Sequence, residues 1–232
     1  MGRLHTPIRL GLDSPRLFEK HQVMKLLLAL LAFACGSSAL ADDLPPRWQN
    51  HQDVGPVEVK GDASYNASER SYTVKGSLDT WGTNDGFHIL WTEARGNIDL
   101  HARVVSVENT ANHAKAGLMI RESLDPGSRH VEICVTPGDG TQFLSRAVTN
   151  GKTAATPGKL DKGKFPIHLK IERQGQTLSG YESFDGVIWK LVASTNIVLP
   201  EKVYVGMVSS SHEKAKLCAS KFDQMGEVWR IR

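Results

Sequence analysis

Three short alternations of apolar and polar residues, joined by two turn signatures, constrain this chain more than any other stretch. The runs are Ala116–Ser123, Arg129–Pro137 and Thr141–Val148, with Asp125-Pro126-Gly127-Ser128 and Pro137-Gly138-Asp139-Gly140 between them. Pro fixes φ and Gly supplies positive φ, so both connectors are turn chemistry. Within the runs the period is two. Leu118 and Ile120 share one face, Met119 and Arg121 the other; Val131, Ile133 and Val135 alternate with His130, Glu132 and Cys134. This predicts a three-stranded antiparallel meander with one face in a core. Arg121 and Arg146 fall in its outer strands and project from one face. Three roles are open to them: solvated surface, floor of a ligand site, or a buried pair with Glu122 or Glu132.

The remaining sequence repeats the pattern. Ile98, Leu100, Ala102 and Val104 alternate with polar residues, as do Ile167, Leu169 and Ile171, and turn signals recur at the spacing of a β-sandwich. No segment sustains a helical period. Expected strands include Pro56–Lys60 as the first, Ser71–Gly76, and the closing runs 203–209 and 216–228, with residues 63–70 and 150–164 as polar loops. The predicted core comprises Leu118, Ile120, Val131, Ile133, Ile167, Leu169, Ile171, Val203 and Val205.

The N-terminal region reads as a processing signal. Lys25 precedes an apolar run from Leu26 to Ala34, and Ala39-Leu40-Ala41 ends it in a small-x-small site. Residues 24–41 are expected to be a signal peptide, residues 1–23 an upstream extension, 42–55 a polar lead-in, and 56–232 one sandwich domain. The apolar run is too short for a membrane span. Ala32-Phe33-Ala34-Cys35 is a weaker lipobox and a minority route to lipid attachment. The chain has 28 Lys+Arg against 25 Asp+Glu; the first 41 residues hold five basic and two acidic ones, which leaves 23 of each in the remainder. A neutral domain carries no electrostatic footprint for nucleic acid or an anionic membrane. Cys134 and Cys218 fall in predicted strands, and buried thiols are expected there, although export permits a disulfide.

Five ordered blocks carry a resemblance: Gly76-x-x-Asp79-x-Trp81-Gly82-x-x-Asp85-x-Phe87-His88; Lys115-Ala-Gly-Leu-Met-Ile-Arg121-Glu-Ser123; Val135-Thr-Pro-Gly138 with Phe143 and Arg146; Glu172-Arg173 with Tyr181-x-Ser183-x-Asp185-Gly186-x-x-Trp189; and Tyr204-Val-Gly206 with Ser210 and His212. Over residues 47–228 the chain resembles the bacterial regulation-of-enolase-like family of unknown function, within the concanavalin-A-like lectin/glucanase superfamily. The resemblance implies an all-β, concanavalin-A-like jelly-roll sandwich of two antiparallel sheets, in an exported protein.

Chemistry is sparse. Ser183-x-Asp185-Gly186-x-x-Trp189 resembles an Asp-box hairpin, a structural device. The closely spaced acidic triplet of β-glucan hydrolases is missing, as are a nucleophile elbow, a phosphate loop and zinc spacings. Asp79 and Asp85 are too few carboxylates for a calcium cage, so Asx turns are their expected role, calcium is the minor reading, and no cofactor or metal is expected. The expected function is an exported, non-catalytic carbohydrate-binding module, with Trp81, Asp85, His88, Arg121, Arg146 and Tyr181 around the ligand. The arginines would make planar hydrogen bonds to hydroxyls or a uronate, and the aromatics would stack. The alternatives are a glycan-acting hydrolase using Glu122, Glu132 or Asp85, and an envelope interaction module.

Overall fold

Alternation with period two, and Gly- or Pro-marked turns, yield strands throughout. The computed structural model describes residues 1–2 and 43–230, with side chains up to residue 227. The expected extension and signal peptide therefore lie almost wholly outside the described residues. In chain order the strands are β1 (Asn50–Val54), β2 (Asp62–Asn66), β3 (Ser71–Gly76), β4 (Phe87–Arg95), β5 (Asn97–Val107), β6 (Lys115–Arg121), β7 (His130–Thr136), β8 (Gly140–Arg146), β9 (Ala154–Pro157), β10 (Ile167–Gln174), β11 (Thr177–Ser183), β12 (Lys190–Asn196), β13 (Lys202–Ser210) and β14 (Cys218–Arg230). One 3-10 turn, Pro46–Trp48, precedes them and buries Trp48. Among the described residues no helix is long and apolar enough to cross a membrane.

The strands form two antiparallel seven-stranded sheets, ordered β1-β4-β13-β6-β7-β8-β9 and β12-β11-β10-β5-β14-β3-β2. This is the concanavalin-A-like jelly-roll sandwich. The meander is β6-β7-β8, with Leu118 opposite Ile133 and Ile133 opposite Phe143. All nine predicted core residues are fully enclosed between the sheets. Ile133→Ala is expected to lower stability by about 2–5 kcal/mol, because the emptied site is walled on every side; denaturant unfolding measures it, and a loss below about 1 kcal/mol would contradict the packing described.

Two expectations fail at the N-terminal edge. The first strand is Asn50–Val54, within the expected lead-in, and residues 56–60 form none. Of residues 63–70, read as a polar loop, the first four lie in β2 (Asp62–Asn66). Both strands sit at sheet edges, where Asn-His-Gln-Asp-Val and Asp-Ala-Ser-Tyr-Asn pair through the backbone with little apolar alternation to mark them. The loop expected over 150–164 contains the short edge strand β9. Cys134 and Cys218 are buried free thiols.

Candidate functional site

The outer face of the first sheet is where side-chain chemistry gathers. Register places Arg121, His130 and Arg146 side by side across β6, β7 and β8. All three are fully buried. Asp85, from the loop before β4, enters between the arginines: its carboxylate takes Arg146 Nη2 at 2.6 Å and Nη1 at 3.0 Å, and Arg121 Nη2 at 3.3 Å. Arg121 also donates to the carbonyls of Ser123 and Asp125, and its guanidinium lies 5.1 Å from the Phe87 ring centre. Arg146 reaches the carbonyls of Pro126 and Gly82 and the Thr153 hydroxyl. The arginines thus tie three loops onto the sheet, around 77–86, 122–129 and 147–153. Their partner is Asp85, not Glu122 or Glu132. Glu122 instead pairs with Arg129 at the surface.

Electrostatics follows from that enclosure. Burial pushes the Asp85 carboxyl up, and the two guanidiniums pull it back. Burial brings Arg121 down to about 10, which leaves it charged at neutral pH. His130 is driven well below its ordinary range by burial and by the flanking arginines, so it is neutral. Next along β7, Glu132 is also fully buried, and neither carboxyl oxygen has a hydrogen-bond partner among the described residues. Burial lifts it to about 7, against the pull of Lys115.

Loop 77–86 crosses this face as a strap. Its far end is anchored by Asp85. Its near end is anchored by Asp79, whose Oδ1 takes the buried Lys115 ammonium and whose Oδ2 takes His212 Nδ1 at 2.7 Å. Lys115 and Arg121 begin and end β6, and their long side chains reach one closed loop, in which the Gly86 amide donates to the Asp79 carbonyl at 2.8 Å. Between the anchors Trp81 remains half exposed, at 51%. It overhangs a cavity of about 350 Å³, walled by Asp79, His113, Lys115, Asp139, Gln142 and His212.

The six residues expected to form one site occupy four places. Trp81 lines the cavity. Asp85, Arg121 and Arg146 form the buried cluster behind it. His88 lies under the sheet edge, with Nδ1 2.8 Å from Asp53 Oδ1 and Nε2 3.0 Å from His51 Nδ1, which pins β1 to β4. The Gly61 backbone lies against it so closely that a Cβ there would come within 2.4 Å of His88 Nδ1. Burial lowers the His88 pKa. Tyr181 stands on the outer face of the second sheet, with the Lys170 ammonium 4.4 Å from its ring centre. Asp185 caps its hairpin as expected, accepting from the amides of Val187 and Ile188, beside Gly186 at positive φ. Among the described residues no three His, Cys, Asp or Glu side chains converge as a metal site. His113, Asp139 and Gln142 had no local signal; chain topology brings them to Trp81.

Solved structures share this fold. A functionally unknown protein from Saccharomyces cerevisiae matches at 18% identity and TM-score 0.58, over 74% of this chain and 97% of that one. A mutant of the GH43 protein BlXynB from Bacillus licheniformis matches at 14% identity and TM-score 0.54, over 78% of this chain and 39% of its own. Bacteroides ovatus xyloglucan PUL GH43B matches at 16% identity and TM-score 0.51, over 82% of this chain and 42% of its own. The chain thus spans about two fifths of those two GH43 proteins. At such identities the likeness defines the fold. No family model and no curated protein matches the sequence.

Proposed function

We propose that this chain is an exported, non-catalytic carbohydrate-binding module whose ligand stacks on Trp81 and enters the cavity beneath it. One observation carries the reading: a large ring held half in solvent over a pocket of fixed polar groups. An indole face covers a sugar ring with little conformational entropy to lose, and polar walls fix orientation. Asp85, Arg121 and Arg146 serve as positioning residues that hold the Trp81 strap. The expected signal peptide and the motif resemblance to the regulation-of-enolase-like family agree with an exported binding protein. Titration of neutral oligosaccharides into the folded protein tests the proposal. Trp81→Ala is expected to weaken binding about tenfold with unchanged melting; equal affinity in the variant would remove Trp81 from the site.

A second reading has one observation behind it. Asp79 and Asp139 line the same cavity, which is the minimum equipment of a glycan hydrolase. Both are occupied in holding neighbouring side chains, which favours binding over turnover. Release of reducing ends from any oligosaccharide that binds would reverse that preference.

A further inference from the structure

Two aspartate–histidine pairs meet at the Trp81 cavity. His113 Nδ1 lies 2.6 Å from Asp139 Oδ2, and His212 Nδ1 lies 2.7 Å from Asp79 Oδ2. The two rings are edge to face, with centres 5.1 Å apart. The residues come from different parts of the chain, the loop before β6 and the loop after β13. A carboxylate can only accept, so each Nδ1 carries the hydrogen; in a neutral imidazole that leaves Nε2 as an acceptor.

The aspartates are already spent. Asp79 Oδ1 receives the Thr80 amide at 2.7 Å and the Lys115 ammonium. Asp139 Oδ1 faces the Lys162 ammonium at 3.8 Å. Lys115 in turn donates to Asp79 and to the His113 carbonyl at 3.1 Å. The wall's unspent polar capacity is therefore the two Nε2 acceptors and the Gln142 amide, which meets Asp139 Oδ2 only at 3.5 Å, and its buried cation is already neutralised.

Backbone strain marks the same place. Leu78 and His212 both adopt left-handed conformations, with φ of 59° and 57°. They are locked together, His212 N–H donating to the Leu78 carbonyl at 2.6 Å and Leu78 N–H to the Glu213 carbonyl at 2.9 Å. A branched residue such as Leu in that region is an outlier, and such strain gathers at functional sites. Here it brings Asp79 and His212 within hydrogen-bond distance.

We infer that His113 and His212 are specificity-determining residues that select neutral glycans over acidic ones. Their Nε2 atoms accept hydrogen bonds from hydroxyls of a sugar stacked on Trp81. A uronate or sulfate would meet acceptors and two aspartates where it needs donors, an unfavourable pairing that specificity exploits. The inference rests on the carbohydrate reading and deepens it.

Calorimetric titration with cellohexaose, xylohexaose, mannohexaose and hexagalacturonate tests it. At least one neutral hexaose is expected to bind tenfold or more tightly than hexagalacturonate. His212→Asn, chosen because Asn tolerates the left-handed backbone, and His113→Asn are each expected to weaken that binding about tenfold with unchanged melting. Hexagalacturonate binding as tightly as the neutral sugars overturns the selectivity and leaves the carbohydrate reading standing. So does neutral binding that survives both substitutions in folded protein. Failure of all four sugars to bind wild type removes the carbohydrate reading and this inference together.

Discussion

Asp85→Ala is expected to lower unfolding free energy by about 3–5 kcal/mol, the loss seen when one member of a buried ionic group is deleted. Asp85, Arg121 and Arg146 are all enclosed, and the carboxylate is the anion between two guanidiniums. Without it, two cations face each other in the interior with only neutral partners, the loop carbonyls, the Thr153 hydroxyl and the Phe87 ring. Three loops depend on those same guanidiniums, so proteolysis within 77–86 and 147–153 is expected to accelerate as well. Glu122→Ala provides the control. It breaks a partly exposed ion pair with Arg129 and is expected to change stability by no more than about 1 kcal/mol. Replacing Asp85, Arg121 and Arg146 together with Leu, Met and Met separates lost packing from stranded charge. That variant is expected to regain most of the stability, because apolar residues of similar volume carry no desolvation cost. Equal losses in Asp85→Ala and Glu122→Ala would show that the cluster is not the clamp described here.

Glu132→Gln is expected to stabilise the protein above about pH 5, with most of the gain in place by neutral pH. Burial raises the carboxyl from 4.5 to about 7, so the folded state holds this proton more tightly than the unfolded chain. Its contribution is fully present below pH 4.5 and is lost as pH rises through 7. A shift of that size corresponds to about 3 kcal/mol. Gln keeps the volume and has no proton to lose. The variant and the wild type are expected to have similar stability near pH 4, then diverge, with the variant ahead by up to about 3 kcal/mol near pH 8–9. Denaturant unfolding across that range measures the difference. Parallel stability curves would mean that a neighbouring cation compensates the ionised carboxylate.

Much of this fold is legible in the sequence because a half-buried strand must alternate. Leu118, Ile120, Val131 and Ile133 announce their face directly. β1 and β2 are silent because an edge strand is held by backbone hydrogen bonds, to which side-chain hydrophobicity contributes nothing. The site is harder to read for a different reason. That Arg121 and Arg146 share a face follows from counting residues along neighbouring strands. That Asp85 lies between them does not, since 36 residues separate it from Arg121 and a loop, not a register, delivers it. Nor does any local pattern join His113 to His212. His88 shares a block with Trp81 and Tyr181 falls three blocks later; the jelly-roll carries His88 to a sheet edge and Tyr181 to the other sheet.

The strap has a consequence for diversification. Its two anchor points, Asp79 and Asp85, carry the ionic contacts, while Trp81, Thr83 and Asn84 between them are exposed; Gly82 is fixed at positive φ, with its carbonyl accepting from Arg146 and the Thr153 amide. Presentation and scaffold are thereby decoupled, as they are in an antibody loop. Residues 81, 83 and 84 form a short cassette whose chemistry can change without disturbing the sheet below. A library randomised over those three positions, with Gly82 and both anchors retained, would be a compact source of new recognition surfaces on one unaltered frame.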